Sequence, residues 1–327
     1  MHKETGRTDY MNEYNYSKEL GKPISFGDIN FEKPLVLFFM KLGCNLSNLQ
    51  IKPFKAEDGL KKSIIKVPVG NNEKIKCTVI EPSDSKELLP AIIYLHGGAF
   101  VCPIVSLMIQ NAAYYAKALN CRVYIPQYRL APKYPFPIPL YDCYFSYNHI
   151  IENSHKYLID KTNVLIYGDS AGGCLAASTC HMLRDNKKHI PNAQILVYPV
   201  TDNSLTSKSI EQFKHAAWTK TANIHMWNCY LKNGHKNMLG YAAPLNNSNF
   251  SKLPPAYVEA LEIDTLRDEA IAYADKLRSE GISVEKHLVE GAYHGFDIDH
   301  KSPLVKKVLE YRVKVMRNYI KTNIPEH

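Results

Sequence analysis

From about residue 64 onward, short apolar runs take turns with stretches of helix length. Strand candidates are 64–69, 75–81, 91–95, 122–127, 164–168, 194–199, 256–262 and 284–289. In the first two, polar and apolar positions alternate, which suits an antiparallel edge with one face in water. The later ones, such as "AIIYL" (91–95) and "VLIYG" (164–168), are continuous apolar runs, as strands covered on both faces must be. Helix-length stretches lie near 107–120, 139–153, 171–185, 267–280 and 303–321. The pattern predicts an α/β architecture: a mainly parallel eight-stranded sheet with an antiparallel start and helices on both faces.

Two regions break the alternation. Residues 1–60 precede the sheet domain of 61–327, and a stretch of about 200–250 separates two strands by far more than an ordinary crossover. Both carry large apolar side chains, Phe31, Phe38, Phe39 and Phe54 in the first and Phe213, Trp218, Trp227 and Tyr230 in the second, for which core packing is expected. Two insertions that each need burial can pack on one another as a lid over the carboxyl edge of the sheet, where open α/β sheets bind ligands.

Composition narrows the function classes. The 327-residue chain has a net charge of +8, but its lysines are scattered, with no run denser than pairs such as Lys61-Lys62, Lys187-Lys188 and Lys306-Lys307. That is a solvated surface, and no nucleic-acid partner is expected. Eight cysteines show no C-x-x-C pair, so neither a disulfide framework nor a zinc site is implied. The polar start "MHKETGRTDYMNEYNYSKEL" does not read as a secretory signal. "PLVLFFMKLG" (34–43) is ten residues long, against the roughly 20 needed to span a bilayer. A cytoplasmic protein without stable membrane insertion is expected.

The chemistry centres on "VLIYGDSAGGCLAAS" (164–178), a buried strand that turns on a serine into an alanine-rich helix. The turn fits G-x-S-x-G and reads either as an ordinary helix cap by Asp169 or Ser170, or as a perch for Ser170 as nucleophile. A serine needs a base to take its proton, and the base needs an orienting carboxylate; in sheets of this kind the order is serine, acid, histidine. Beyond 262 the histidines are His287, inside a strand, His300, in a charged stretch, the terminal His327, and His294, which follows the last strand in the glycine-flanked "EGAYHGF". His294 is the best-placed base. In "VEALEIDTLRDEA" the acid is read as Asp264, directly after the apolar run; Asp268, suited to a helix cap, and Glu262 remain alternatives. Donors for an oxyanion are expected from Gly97 and Gly98 in "YLHGGAF" and from Ala171 after the serine, with His96 bracing the loop. Phe100, Tyr128 and Trp218 are candidates for the substrate pocket.

The series "HGGAF" (96–100), "YRLAPKYPFP" (128–137), "GDSAGG" (168–173), "DTLRDEA" (264–270) and "YHGF" (293–296) resembles that of the hormone-sensitive-lipase-like esterases of the α/β-hydrolase fold, over nearly all of residues 64–321. The resemblance implies Ser170 as nucleophile, Asp264 as acid, His294 as base, and Gly97, Gly98 and Ala171 as oxyanion donors. It further implies a helical N-terminal cap and hydrolysis of short-chain carboxylic esters with no metal or organic cofactor. Two departures stand out: Ala99 replaces the third glycine of the loop, and Thr265 the proline common after the acid. An amidase or peptidase with the same three residues, and a non-catalytic ligand-binding homologue, are the rival readings. The partner is a small-molecule ester, and a homodimer is left open.

Overall fold

The structure is a computed structural model that describes residues 13–21, 23, 29–49 and 59–320. Phe54, His327 and parts of the 1–60 segment lie outside the described residues. Helix α1 (Pro34–Leu49) precedes the sheet. The strands are β1 (Leu60–Pro68), β2 (Lys74–Pro82), β3 (Leu89–Leu95), β4 (Arg122–Pro126), β5 (Ile159–Asp169), β6 (Ala193–Val197), β7 (Ala256–Ile263) and β8 (Val284–Tyr293). Between and after them come α2 (Ser106–Ala118), α3 (Ile138–Glu152), α4 (Ala171–Asp185), α5 (Lys208–Gln212), α6 (Lys220–Tyr230), α7 (Leu239–Ala242), α8 (Arg267–Ser279) and α9 (Pro303–Tyr319).

All eight expected strands form one sheet of order β1-β2-β4-β3-β5-β6-β7-β8. The half-polar strands are the antiparallel ones, β1 with β2 and β2 with β4, and every pair from β4 onward is parallel. The physical cause is burial. β1 reaches water along most of its length, whereas β4 and β6 are buried throughout and therefore carry no polar alternation. One face packs on α3, α4 and α8 through Leu140, Leu175, Leu183 and Tyr273; the other packs on α2 and α9 through Ile109, Tyr115, Val308 and Met316.

Boundaries differ where side chains hid the pairing. β8 runs on to Tyr293 because a register shift between Leu261 and Ile263 carries the ladder past the polar and small residues "EGA". The strand thus delivers the chain directly to position 294. In the 200–250 stretch, α5, α6 and α7 form where no periodicity stands out; Thr219 starts α6 by accepting the Ala222 N–H at 3.1 Å. Phe31, Phe213, Trp218, Trp227 and Tyr230 are buried as expected. Phe38 and Phe39 are not, each being 60% exposed. α1 turns Leu37 and Met40 toward the body, and helical spacing then leaves Leu35, Phe38, Phe39 and Leu42 on the outer side.

Beneath the carboxyl edge lies one fully buried cation. Arg312 of α9 donates from Nε to Glu259 Oε2 at 2.8 Å and from Nη1 to Asp297 Oδ2 at 2.8 Å; Asp297 also accepts the Tyr198 hydroxyl at 2.7 Å. These bonds tie α9 to β7 and to the segments that follow β6 and β8. Replacing Arg312 by leucine would leave two buried carboxylates without their counter-charge. Arg312→Leu is expected to lower stability by about 3–5 kcal/mol in urea unfolding, against a change under ~1 kcal/mol if the pair contributed little.

Candidate active site

Ser170 stands between β5 and α4 with φ 54° and ψ −122°, a conformation that a residue with a Cβ adopts only when its surroundings enforce it. The enforcement is visible on both sides. Its N–H donates to the Val197 carbonyl at 2.9 Å, and its own carbonyl accepts the Val200 N–H at 3.1 Å. A Cβ at Gly168 would run into the Gly172 carbonyl, and one at Gly172 into the Leu95 carbonyl, so these glycines let strand and helix close on the turn. Neither Asp169 nor Ser170 caps the helix: the Ser170 side chain makes no cap bond and points instead to His294.

Ser170 Oγ lies 2.9 Å from His294 Nε2, and His294 Nδ1 lies 2.7 Å from Asp264 Oδ2. All three residues are buried. Asp264 Oδ1 accepts the Leu266 N–H at 3.1 Å, which orients the carboxylate from the end of β7. The alternatives are engaged elsewhere. Asp268 accepts the Ser209 N–H at 2.8 Å and pairs with Arg267, while Glu262 accepts the Gly291 N–H at 2.7 Å. His287 bonds the Tyr257 hydroxyl, and His300 Nε2 sits 2.6 Å from Asn111 Oδ1. A serine hydroxyl, an imidazole and a carboxylate in this chain can pass a proton from Oγ to Nε2 while the carboxylate holds the ring and balances its charge.

The loop after β3 shows a change from expectation. The Gly97 N–H donates to Asp169 Oδ2 at 3.2 Å, so this amide, expected to face an oxyanion, is committed within the protein. Gly98 (φ 108°) and Ala99 (φ 55°) follow, and both line the cavity beside Ser170. Their amides, with that of Ala171 at the N-terminus of α4, are the donors this geometry leaves for a ligand oxygen. His96 braces the loop: its Nδ1–H donates to the Gly97 carbonyl at 2.7 Å, and burial depresses its pKa to about 4, keeping the ring neutral.

The cavity over Ser170 holds about 180 Å³ and is mainly apolar, with walls from Met40, Val105, Leu107, Met108, Trp218 and Ile298. Trp218 is therefore where the sequence places it, tilted over His294 at 5.6 Å between rings. Phe100 and Tyr128 are not. Phe100 stacks on Tyr230 at 3.8 Å, and Tyr128 stacks on His96 and donates its hydroxyl to the His96 carbonyl at 2.7 Å. Both are buried supports of the loop: the positive-φ turn at Ala99 and Phe100 swings the Phe100 ring away from the cavity, and the hydroxyl bond to His96 holds Tyr128 behind it. Thr265, in place of proline, spends its hydroxyl on the Trp218 carbonyl at 3.3 Å and so ties the acid's neighbour to the cavity wall.

Sequence reading missed Tyr198 and Asp297. Tyr198 packs edge-on against His294 at 4.9 Å and hydrogen-bonds Asp297. The position of Tyr198, at the end of "QILVYP", was visible; its partner 99 residues away was not. Burial first, then the neighbouring Asp297 charge, push the Asp169 carboxyl up to about 7.

A family model described as alpha/beta hydrolase fold matches residues 92–298. An arylesterase of Saccharolobus solfataricus is 29% identical over 253 residues, covering 74% of this chain and 82% of the relative. An ethyl acetate hydrolase of Pseudomonas putida is 28% identical over 218 residues, covering 66% and 69%. Among solved structures, a bacterial heroin esterase superposes with a TM-score of 0.80 at 25% identity, covering 90% of this chain and 94% of its own.

The Asp169 shift fixes a sign. The folded protein keeps this proton up to about pH 7, while the unfolded chain loses it in the ordinary carboxylate range. Its contribution to stability is full below that range and is lost as pH rises through about 7. The stability of wild type relative to Asp169→Asn, from urea unfolding across this window, is expected to fall with rising pH and then level off; a difference that rises would contradict it.

Proposed function

The chain belongs to the alpha/beta hydrolase family and is a carboxylic ester hydrolase, and from that premise we propose that it works through Ser170, His294 and Asp264 by way of an acyl-enzyme, on esters of short acids. The observation that carries the reading is the unbroken hydrogen-bonded chain Ser170–His294–Asp264 opening onto a small apolar cavity. Ser170 Oγ attacks the ester carbonyl as His294 Nε2 takes its proton. Asp264, bonded to Nδ1, stabilises the imidazolium formed. The carbonyl oxygen, now negative, rests on the amides of Gly98, Ala99 and Ala171, which cost no reorganisation because the turn already holds them. His294 returns the proton to the leaving alcohol; water then enters by the same path to release the acid and restore Ser170. In this reading Gly97 serves the oxyanion loop from behind, through Asp169, instead of donating to the substrate.

Two features support short acyl groups. The cavity volume of about 180 Å³ is small beside the ~300–1,000 Å³ of pockets for drug-sized ligands. Ala99 adds a methyl to its wall where a glycine would leave space. The helices α1, α5, α6 and α7 act as the cap: Phe31, just before α1, stacks on Trp218 at 5.9 Å, and Glu32 bonds His225 and Asn228 of α6 at 2.6 and 3.0 Å. Among the described residues no helix is long and apolar enough to cross a membrane. We place the protein in the cytoplasm, acting on a small ester with no nucleic-acid partner.

Ser170→Ala is expected to abolish hydrolysis of p-nitrophenyl acetate and labelling by a fluorophosphonate. Asp264→Asn, which keeps the shape but misorients the histidine, should cost about 10⁴ in kcat. Retention of labelling by Ser170→Ala would defeat the assignment, and faster turnover of a matched anilide would favour the amidase reading. Ala99→Gly, by widening the wall, should raise the ratio of hexanoate to acetate hydrolysis by up to roughly tenfold in a chain-length series.

A further inference from the structure

Two thiols meet at the wall of the cavity. Cys44 comes from α1, above the pocket, and Cys102 from the loop that carries Gly98 and Ala99; both line the cavity, and their side chains are hydrogen-bonded to one another. Cys102 is locked to that loop, its N–H donating to the Gly98 carbonyl at 2.8 Å. The other six cysteines are buried, whereas these two are only partly so. We propose that Cys44 and Cys102 are an oxidation-sensitive pair whose disulfide staples α1 to the amide loop and slows ester hydrolysis, an inference that rests on this cavity being the ester site.

The chemistry needs one thiolate and one resolving thiol. The bond to Cys102 holds the Cys44 thiol down at about 7, so much of it is ionised near neutrality, while Cys102 is held well above its usual range by that bond and by burial. Lys41, one turn before Cys44 on α1, adds a positive charge beside the pair. Hydrogen peroxide is the oxidant class. The Cys44 thiolate attacks one peroxide oxygen and gives a sulfenic acid and hydroxide, which takes the Cys102 proton to form water. The Cys102 thiolate then displaces the sulfenic oxygen, which leaves as a second water once protonated; two thiols and one peroxide become one disulfide and two waters. Closing hydrogen-bonded sulfurs to a covalent bond draws α1 and the loop together by roughly 1–2 Å. A shift near 1 Å in a catalytic group costs up to about 10² in rate, so oxidation should lower kcat/KM by roughly 10- to 100-fold.

The test treats the full chain, first reduced, with hydrogen peroxide. Peptide mapping then looks for the Cys44–Cys102 cross-link, and kcat/KM on p-nitrophenyl acetate is measured before oxidation, after it, and after dithiothreitol. Cys44→Ser and Cys102→Ser are each compared with their own untreated activity. The proposal expects the cross-link, a loss that dithiothreitol reverses, and no such loss in either variant. It is overturned if mapping finds no cross-link, or if either variant loses activity as the wild type does. A reduced wild type that hydrolyses no ester would instead defeat the catalytic reading, with the cross-link still decided by mapping.

Discussion

Everything at the site hangs on one unfavourable backbone conformation. A serine at φ 54° would relax in an isolated peptide; here strand β5 and helix α4 close around it so tightly that two glycines are needed for them to pass. The cost is met by packing, since α4 is buried through its first thirteen residues, Ala171 to Leu183, and cannot shift without exposing that surface. Two backbone hydrogen bonds, to Val197 and from Val200, add direction. The turn therefore aims Oγ into the cavity and leaves the Ala171 amide beside it. A flexible serine would have to be ordered in each catalytic cycle; this one is ordered by folding.

The other parts are placed relative to that turn by three polar systems. Behind the site, Arg312 holds Glu259 in the middle of β7 and Asp297 just past His294, and Asp297 in turn holds Tyr198 against the histidine ring. In front, Asp169 grips the Gly97 amide and fixes where the next two amides point. A third bracket, the Arg129–Asp142 pair with bonds of 2.7 and 2.9 Å, holds the loop after β4 on which Tyr128 supports His96. The catalytic groups proposed here thus owe their spacing to polar groups held by the fold itself, of which Arg312, Glu259 and Asp297 form a buried, mutually paired set.

The cavity itself belongs to no single stretch of chain. Met40 and Cys44 enter from the N-terminal segment, Trp218 from the long insertion, Ala99 and Cys102 from the loop after β3, and Ile298 from beyond the histidine. This makes the pocket sensitive to how α1 sits, and the residues just before that helix anchor it, Phe31 on Trp218 and Glu32 on His225. In the proposed reaction, specificity and any control of access would reside in this assembled wall, whereas Ser170, Asp264 and His294 follow directly on the ends of β5, β7 and β8.

What the amino-acid order determined by itself is whatever depends on local pattern: eight strands, five principal helices, and the turns that carry Ser170, Asp264 and His294. Strand burial leaves a continuous apolar signature, and a residue that must leave the end of a strand is found by where that signature stops. Tertiary structure alone decided the rest. That Gly97 spends its amide on Asp169, that Phe100 and Tyr128 turn away from the pocket, that Phe38 and Phe39 face outward, and that Cys44 meets Cys102 are all matters of orientation between distant segments. A sequence states which group is available; only the closed fold states which neighbour claims it, because a buried hydrogen bond or ring stack is won by the partner that packing brings within about 3–4 Å.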